Sequence, residues 1–329
     1  MPRRIAIYEF GGPENLRIEE FSSRPLQPGE LRLRVEAMGV NRADILIREG
    51  SYHSKKLPIV PGFDASGCVI ESSGEIGIGS RVLIIPGSRG LGFYSEEVIV
   101  SASDVLVLSD NISYSVAASI PVNWLTAQES LFRRAGLKRG ETLVVLAGSS
   151  GVGQAAIQLA QAQGVRVIAT VSRQVKADYL KDTYGCDVLV AGAEDLPSQV
   201  LEMTCGSGAD VVFDLIGGDF FRPALQIASN GGRVVQAANV TLRDSLINVR
   251  DFYAKNLSIF GFQYGNATTI GLEHYRTDLP KILEGFAKGL YRSTISKIFS
   301  MDKVATAHET LVDRSHYGKI VLLPQAGVH

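Results

Sequence analysis

The feature that most constrains the fold is a run of alternating apolar strands and helices that starts at Glu141. ETLVVLAG is an uninterrupted apolar strand pattern, and GVGQAAIQLAQAQG follows it as a helix that ends at Gly164. VRVIATV and VKADYLKDTYG repeat the pair, and ADVVFDLIGG, GGRVVQAANV and LSIFGFQYG supply further buried strands. Apolar strands separated by helices are typical of a parallel sheet covered on both faces. The sequence therefore predicts a doubly wound α/β domain.

The first strand-to-helix turn of this region, LAGSSGVGQ, is a candidate phosphate-binding loop. Gly148 and Gly153 occupy the outer positions of a G-x-G-x-x-G pattern, but Ser150 takes the middle one, so the motif is incomplete. Such a turn presents free backbone N–H groups and the positive end of the helix dipole to a pyrophosphate. We expect Ser150, Gly151 and Val152 to contact the cofactor; the alternative is a tight turn without a ligand.

The end of the next strand, ATVSRQVK, indicates which dinucleotide binds. An NAD site places an acidic residue about 20 residues beyond the glycines, where it accepts from the ribose 2′-hydroxyl. This chain has Ser172, Arg173 and Lys176 there, a hydroxyl and two cations that suit a 2′-phosphate. The pattern favours NADP(H), and an ordinary solvated basic start of a helix is the alternative.

The segments before this region predict a second, β-rich domain. Short β-branched runs separated by turn residues extend to about Val107 and are typical of a barrel-like domain, with a short helical turn, NRADILIREG, that ends at Gly50. VNWLTAQESLFRRAGLKRG predicts a helix that closes at Gly136 or Gly140, and KIVLLP predicts a strand that returns to the first domain. The expected domains are 1–122, 123–264 and 265–329, the last being part of the first.

Composition restricts the class of partner. A chain of 329 residues is long enough for roughly two domains. Its 33 basic and 34 acidic residues nearly balance, which argues against nucleic acid or an anionic membrane as a partner and favours a small-molecule substrate. Three scattered cysteines form neither a disulfide framework nor a zinc motif, and no apolar run has signal or membrane-spanning length. We therefore expect a cytoplasmic protein.

The segments together resemble one family, the zinc-free quinone oxidoreductase and enoyl reductase branch of the medium-chain dehydrogenase/reductase superfamily. The resemblance runs nearly end to end and depends on segments in the family's order, which are GVNRADILIREGSY, VPGFDASGCV, PVNWLTAQESLFRRAGLKRGETLVVLAGSSGVGQAAIQLAQAQG, DVVFDLIGGDFF, GGRVVQAANV and GKIVLLP. It implies a GroES-like β-rich barrel domain, a Rossmann domain that binds NADP(H), and a homodimer.

The resemblance also implies an enzyme without a metal. Asn41 stands where zinc-dependent relatives carry a cysteine ligand, and Gly62, Phe63 and Asp64 replace their Gly-His-Glu. A four-cysteine lobe is lacking as well. The five histidines show no metal-like spacing, and we expect surface roles for most of them; they are His53, His274, His308, His316 and His329. A tetrahedral zinc site is therefore not expected.

Two residues of the first domain are candidate catalytic groups by this resemblance. Tyr52 is similar to a tyrosine implicated as the proton donor in 2-enoyl thioester reductases, and a hydrogen-bonded rim residue is the alternative. Asn41 resembles the family's asparagine that meets the nicotinamide or the substrate, and an Asx-turn that opens its segment is the alternative.

Four further residues resemble family positions around the nicotinamide half of the cofactor. Asn123 and Thr126 lie in PVNWLTA, where the alternatives are a helix cap and a buried helical hydroxyl. The backbone around Asn239 and Phe262 lies where the family meets the nicotinamide.

The function implied is hydride delivery from NADPH to an activated C=C bond, in an enone or enoyl thioester, or to a quinone. Conjugate addition leaves negative charge on the carbonyl oxygen and requires a proton at the α-carbon, both of which a hydrogen-bond donor serves. Two alternatives remain open. One is a reductive cyclase of natural-product biosynthesis, and the other is a non-catalytic NADPH-binding structural or regulatory protein.

Overall fold

The computed structural model describes residues 1–52, 56–85, 92–240, 242–265 and 272–324. The chain divides into two units, Met1–Val122 with Gly265–His329, and Asn123–Tyr264. The strands are β1 (Arg3–Ile7), β2 (Leu16–Glu20), β3 (Glu30–Val40), β4 (Asp64–Ser72), β5 (Arg81–Ile84), β6 (Glu97–Ser101), β7 (Val105–Val107), β8 (Thr142–Val145), β9 (Arg166–Val171), β10 (Asp187–Val190), β11 (Ala209–Asp214), β12 (Ala228–Gln236), β13 (Ser258–Gly261), β14 (Ile295–Ser300) and β15 (Lys319–Leu323). The α-helices are α1 (Arg42–Arg48), α2 (Tyr114–Ala117), α3 (Pro121–Gln128), α4 (Gly151–Ala162), α5 (Gln174–Tyr184), α6 (Leu196–Met203), α7 (Phe221–Ile227), α8 (Arg250–Tyr253), α9 (Leu272–Ala287) and α10 (Val304–Val312).

The first unit is built on a sheet in the order β14-β15-β3-β4-β5-β7, with β6 also paired to β3. Along β3 the apolar Leu31, Leu33 and Val35 are buried and alternate with arginines, which is the period of two expected of a strand with one face on the core. The predicted return of KIVLLP is confirmed, because β15 pairs antiparallel with β3.

The second unit contains a six-stranded sheet in the order β10-β9-β8-β11-β12-β13, in which every pairing is parallel. Numbered from β8, this is the order 3-2-1-4-5-6 of a dinucleotide-binding sheet, and the order reverses between β8 and β11. Ligands of such sheets bind outside the carboxyl ends of the strands at that reversal. The doubly wound domain predicted from the apolar strands is confirmed.

One helix type and one strand boundary differ from the sequence prediction. The helix after Pro121 closes at Gly136, one of the two predicted ends, but its second half, Glu129–Arg134, is a π-helix, which no local pattern indicates. The strand assigned to GGRVVQAANV begins earlier, at Ala228, and ends at Gln236. The Lys255 ammonium donates to carbonyl oxygens at this junction, including Ala228 O at 2.9 Å, and so satisfies acceptors at the end of α7.

Within the described ranges, no helix has both the length and the apolar character that a membrane span requires.

Candidate active site

The glycine turn between β8 and α4 is held by its own backbone and by one serine. Ala147 adopts a left-handed conformation, with φ of 58°, immediately after the strand. The Ser150 hydroxyl oxygen then caps α4 by accepting the N–H of Gly153 at 3.0 Å. Gly153 has to be glycine, since a Cβ there would lie 2.6 Å from the carbonyl oxygen of Ala147. The serine in the middle of the motif is therefore a helix cap that keeps its own O–H proton to donate.

The turn offers free donors at the start of α4. Among the described residues, the N–H groups of Gly151 and Val152 find no protein acceptor. These donors and the helix dipole together form an anion-binding position. Asn123 lies against this position, because a Cβ on Gly151 would collide with its side-chain amide. Asn123 is the third residue of α3, so it is not the helix cap of the alternative interpretation, and Thr126 is a buried residue of the same helix.

The three candidate residues for the 2′-phosphate, Ser172, Arg173 and Lys176, follow β9 and differ in exposure. Ser172 and Arg173 are exposed, and Arg173 occupies the N-terminal cap position of α5. Lys176 lies in the first turn of α5 and is only 7% exposed. An ordinary solvated start of a helix therefore describes Ser172 and Arg173 but not Lys176.

The turns after β11, β12 and β13 are joined to one another. Phe262 donates its N–H to Gln236 O at 2.9 Å, and the Arg134 guanidinium lies 5.2 Å from its ring centroid. Asn239 is exposed and packs against Gly217, whose φ of 70° requires glycine. Both residues expected near the nicotinamide thus lie beyond the carboxyl ends of neighbouring strands.

Asp214, at the end of β11, fixes one of these turns and was not singled out from the sequence. Its Oδ1 accepts the N–H groups of Ile216 at 2.7 Å and Gly217 at 3.0 Å. Burial raises the pKa of this carboxyl, and the two backbone donors oppose that rise. The sequence signal that could have identified Asp214 was an acidic residue at the end of an apolar strand pattern.

Tyr52, the candidate proton donor of the first unit, lies beyond the end of α1 and is 9% exposed. Its ring meets Phe63 edge to face, with the centroids 5.8 Å apart. The Tyr52 oxygen accepts the N–H of Gly265 at 3.0 Å. Burial raises the pKa of the phenol to about 12, so it is protonated at neutral pH. In that bond the phenol oxygen is the acceptor and the backbone N–H is the donor.

Asn41 is the N-terminal cap residue of α1, and its side chain belongs to a buried polar cluster formed with Asp64 and Lys319. The Asn41 amide donates to Asp64 Oδ2 at 2.9 Å and accepts from Lys319 Nζ at 2.5 Å. Lys319 Nζ also donates to Asp64 Oδ2 at 2.7 Å, and Asp64 Oδ1 accepts the N–H of Val122 at 3.0 Å. Both ends of the amide are thus engaged within the unit, and Asn41 also opens α1 in a capping box with Asp44, as the local-turn alternative expects.

A second buried network lies behind α1. The Arg48 guanidinium lies 3.4 Å from His308 Nδ1, His308 Nε2 lies 3.4 Å from Tyr94 Oη, and Tyr94 donates to Asp44 Oδ2 at 3.2 Å. Desolvation lowers the pKa of His308 to about 3 and raises that of Asp44 to about 7. Since Arg48 only donates, neutral His308 accepts at Nδ1 and carries its proton on Nε2. Asp44 also accepts from the N–H groups of Asn41 and Gly62, so the network fixes both segments.

The surface role expected for most histidines is wrong for His308, which is fully buried, and His53 and His329 lie outside the described residues. Neither Lys319 nor His308 was recognised from the sequence. Lys319 stands in the quoted motif GKIVLLP, so a charge before a buried strand was visible; His308 gave no signal.

Zinc does not suit the residues present. Phe63 has no donor atom, and the Lys319 ammonium already neutralises Asp64 and binds Asn41. In the part of the chain that the structure describes, no three His, Cys, Asp or Glu side chains form a group able to hold a metal.

Two family profiles match the chain. The profile of the alcohol dehydrogenase GroES-like domain matches residues 27–110, and that of the zinc-binding dehydrogenases matches residues 151–284. The first falls in the β-rich unit, and most of the second covers the parallel sheet.

Proteins of known identity or structure are similar over almost the whole chain. The quinone oxidoreductase of Mus musculus is 31% identical over 98% of this chain and 97% of its own. A mycobacterial protein solved with NADPH has a TM-score of 0.89 at 29% identity, covering 98% of this chain and 100% of that one. An NAD-dependent alcohol dehydrogenase has a TM-score of 0.89 at 27% identity, with the same coverage. Together with the sheet order and the two profiles, these similarities show that the chain is an oxidoreductase that belongs to the quinone oxidoreductase branch of the medium-chain dehydrogenase/reductase superfamily.

Proposed function

We propose that this oxidoreductase uses NADPH to reduce an activated C=C bond, in an enone or enoyl thioester, or a quinone, without zinc. The observation that carries the proposal is the carboxyl edge of the 3-2-1-4-5-6 sheet. A turn with free N–H groups ends β8, and a hydroxyl and an exposed guanidinium, without a carboxylate, follow β9.

The cofactor fits the residues that this edge presents. The N–H groups of Gly151 and Val152 and the Ser150 hydroxyl are donors for the pyrophosphate. Ser172, Arg173 and Lys176 are the group for the 2′-phosphate, and an acidic residue that would prefer a ribose hydroxyl is missing from positions 172–176. The solved relatives include one with NADPH and one named as NAD-dependent, so the choice depends on this chain's own residues.

We assign the nicotinamide half to four further residues, as the resemblance implies. Asn123 and Thr126 lie on α3, with the Asn123 amide against the glycine turn. The backbone around Asn239 and Phe262 lies beyond the ends of β12 and β13. In this assignment the Asn239 and Phe262 turns support the ring, because the hydrogen bond from Phe262 N to Gln236 O ties them together.

The chemistry assigned to the protein is proton donation. When bound, NADPH supplies a hydride, and the reduced substrate then requires a proton. Tyr52 donates that proton from its hydroxyl, and the N–H of Gly265, already directed at the same oxygen, stabilises the phenolate that forms. Asn41 acts as a positioning residue, since its amide is held by Asp64 and Lys319.

The cofactor assignment is tested by calorimetric binding of NADPH and NADH to the wild type and Arg173→Ala. We expect the wild type to bind NADPH more tightly, and the variant to lose about tenfold in NADPH affinity with little change for NADH. Arg166→Ala is the matched control, because it removes an exposed arginine at the start of β9, the strand that ends two residues before Arg173. Equal affinity of the wild type for the two dinucleotides contradicts the assignment.

The substrate class is tested by following NADPH absorbance with quinones, enals and enoyl thioesters. Activity with one class and deuterium from labelled NADPH at a single β-carbon, without a new C–C bond, support simple reduction. A new C–C bond identifies the reductive cyclase instead. Tight NADPH binding without turnover of any class identifies a binding protein.

The proposal includes a homodimer formed through β13. This strand is at one end of the parallel sheet, where no strand of the described residues pairs with its outer edge, and Ile259 on it is 40% exposed. We expect Ile259→Lys to shift the sedimentation coefficient to that of a monomer. Val190→Lys on β10, an equally exposed valine at the opposite end of the sheet, is the control. A wild-type monomer contradicts the dimer.

A further inference from the structure

We infer that Gln154 is a positioning residue that makes the cofactor site prefer the dinucleotide with a 2′-phosphate. The inference rests on the proposed function, since it concerns how the glycine turn and the Arg173 group are held relative to each other. Gln154 is the fourth residue of α4 and is almost fully buried.

One end of the Gln154 side chain holds the glycine turn. Its Nε2 donates to the carbonyl oxygen of Ser149 at 3.0 Å, two residues before the helix begins. Ser149 lies between Ala147, which is left-handed, and Ser150, which caps α4. A carbonyl oxygen only accepts, so this contact fixes which end of the amide faces the turn. The direction of the donors at Gly151 and Val152 therefore depends on a side chain that does not itself face the ligand position.

The other end of the same amide holds α5. Its Oε1 accepts from the Tyr184 hydroxyl at 2.7 Å and lies 3.4 Å from the Tyr179 hydroxyl. The two phenol rings meet edge to face, with the centroids 6.4 Å apart. Tyr179 is one helical turn beyond Lys176, on the helix whose first turn follows Arg173. Gln154 thus holds the helix that carries Lys176 and directly follows Arg173.

A single amide consequently links the turn proposed to bind the pyrophosphate to α5, whose start carries the cations proposed to bind the 2′-phosphate. NADPH has to satisfy both positions at once, whereas NADH depends on the turn alone. Loosening the link therefore lowers affinity for NADPH more than for NADH. Glutamine is required for this task, because glutamate would direct an anionic oxygen at the Ser149 carbonyl and leucine makes neither bond.

The test measures dissociation constants of NADPH and NADH by calorimetry, and kcat, for the wild type and Gln154→Leu. We expect the NADPH constant to rise about tenfold and the NADH constant about threefold, with kcat at saturating NADPH within twofold of the wild type. A structural role alone would lower both affinities equally or reduce kcat.

Gln161→Leu is the matched control, because Gln161 also links α4 to α5 through Tyr184 O at 2.9 Å but does not reach the glycine turn. We expect it to leave the ratio of the two constants unchanged. If Gln154→Leu does not fold, the pair Tyr179→Phe and Tyr184→Phe removes the α5 contacts alone. It should still raise the dissociation constant of NADPH more than that of NADH.

Different results would contradict the proposed cofactor and the role of Gln154. A wild type that binds NADH as tightly as NADPH overturns the proposed cofactor. A wild type that prefers NADPH, with a Gln154→Leu variant that keeps the same preference, overturns only the role of Gln154.

Discussion

The two units hold their functional groups in different ways. The β-rich unit buries charged side chains and satisfies them with one another, as Lys319, Asp64 and Asn41 do. The parallel-sheet unit presents backbone N–H groups and an exposed guanidinium at the edge of its sheet. Buried polar groups cost stability when a partner is removed, whereas exposed ones do not. We therefore expect mutations to separate stability from binding along the division between the units.

The largest effect is expected in the buried cluster of the β-rich unit. Lys319→Met leaves the Asp64 carboxylate buried without its cation, and we expect a loss of about 3–5 kcal/mol in the free energy of unfolding, measured with urea. The double variant Lys319→Met with Asp64→Asn should recover much of that loss, because the Asn41 amide can turn to pair with a neutral neighbour. A loss below about 1 kcal/mol for the single change contradicts the contrast between the units.

Tyr52→Phe is expected to separate chemistry from binding within the same unit. We expect kcat to fall about 100-fold, since general-acid donation contributes on that order, while NADPH affinity is unchanged. Because burial raises the pKa of Tyr52 to about 12, the wild-type rate should show no loss from this phenol up to about pH 10. A wild-type rate retained in the variant would exclude Tyr52 as the donor.

The pH dependence of stability tests the network behind α1. The raised pKa of Asp44, about 7, means that the folded chain keeps a proton that the unfolded chain releases above about pH 4, so this contribution is lost as pH rises toward 7. The lowered pKa of His308, about 3, acts in the opposite sense, and stability from neutral His308 is lost as pH falls from about 6.5 toward 3.

Asp44→Asn should remove the first of these two slopes and keep the second. Urea unfolding between about pH 4 and 8 measures both. Asp110→Asn is the control, because Asp110 has a fully exposed side chain and should leave the profile unchanged. If the slope is unaltered in Asp44→Asn, the Asp44 carboxyl of the folded chain does not titrate between about pH 4 and 8.

The smallest effect is expected for stability in the parallel-sheet unit. Arg173→Ala should change the free energy of unfolding by less than about 0.5 kcal/mol, because the side chain is exposed, even though it weakens NADPH binding. Thermal unfolding of the variant and of Arg166→Ala should give the same midpoint. A large destabilisation by Arg173→Ala would remove the distinction between the two units.

The sequence predicted most of the parallel-sheet unit because its signals are local. Apolar strands, the glycine turn and the basic residues after β9 each lie within a few residues of one another, and the fold keeps them adjacent. The π-helix at Glu129–Arg134 and the early start of β12 were not predicted, since helix type and element boundaries are weakly specified by local sequence.

The β-rich unit was predicted as a set of strands but not as a site. By resemblance, Asn41 was expected to meet the nicotinamide or the substrate, and its partner Lys319 is 278 residues away in the chain. The link from Arg48 to His308 spans 260 residues. Contacts of this kind leave no periodicity or spacing in the sequence.

The amino-acid sequence by itself determined the class of fold, the glycine turn and the charge of the residues after β9, because backbone preference and local spacing control them. Only the tertiary structure decided that Asn41 is held by Asp64 and Lys319, that Gln154 links the turn to α5, and that Tyr52 accepts from Gly265. The physical reason is burial: groups brought together from distant segments exchange water for one another, and which of them meet is settled by packing of the whole chain.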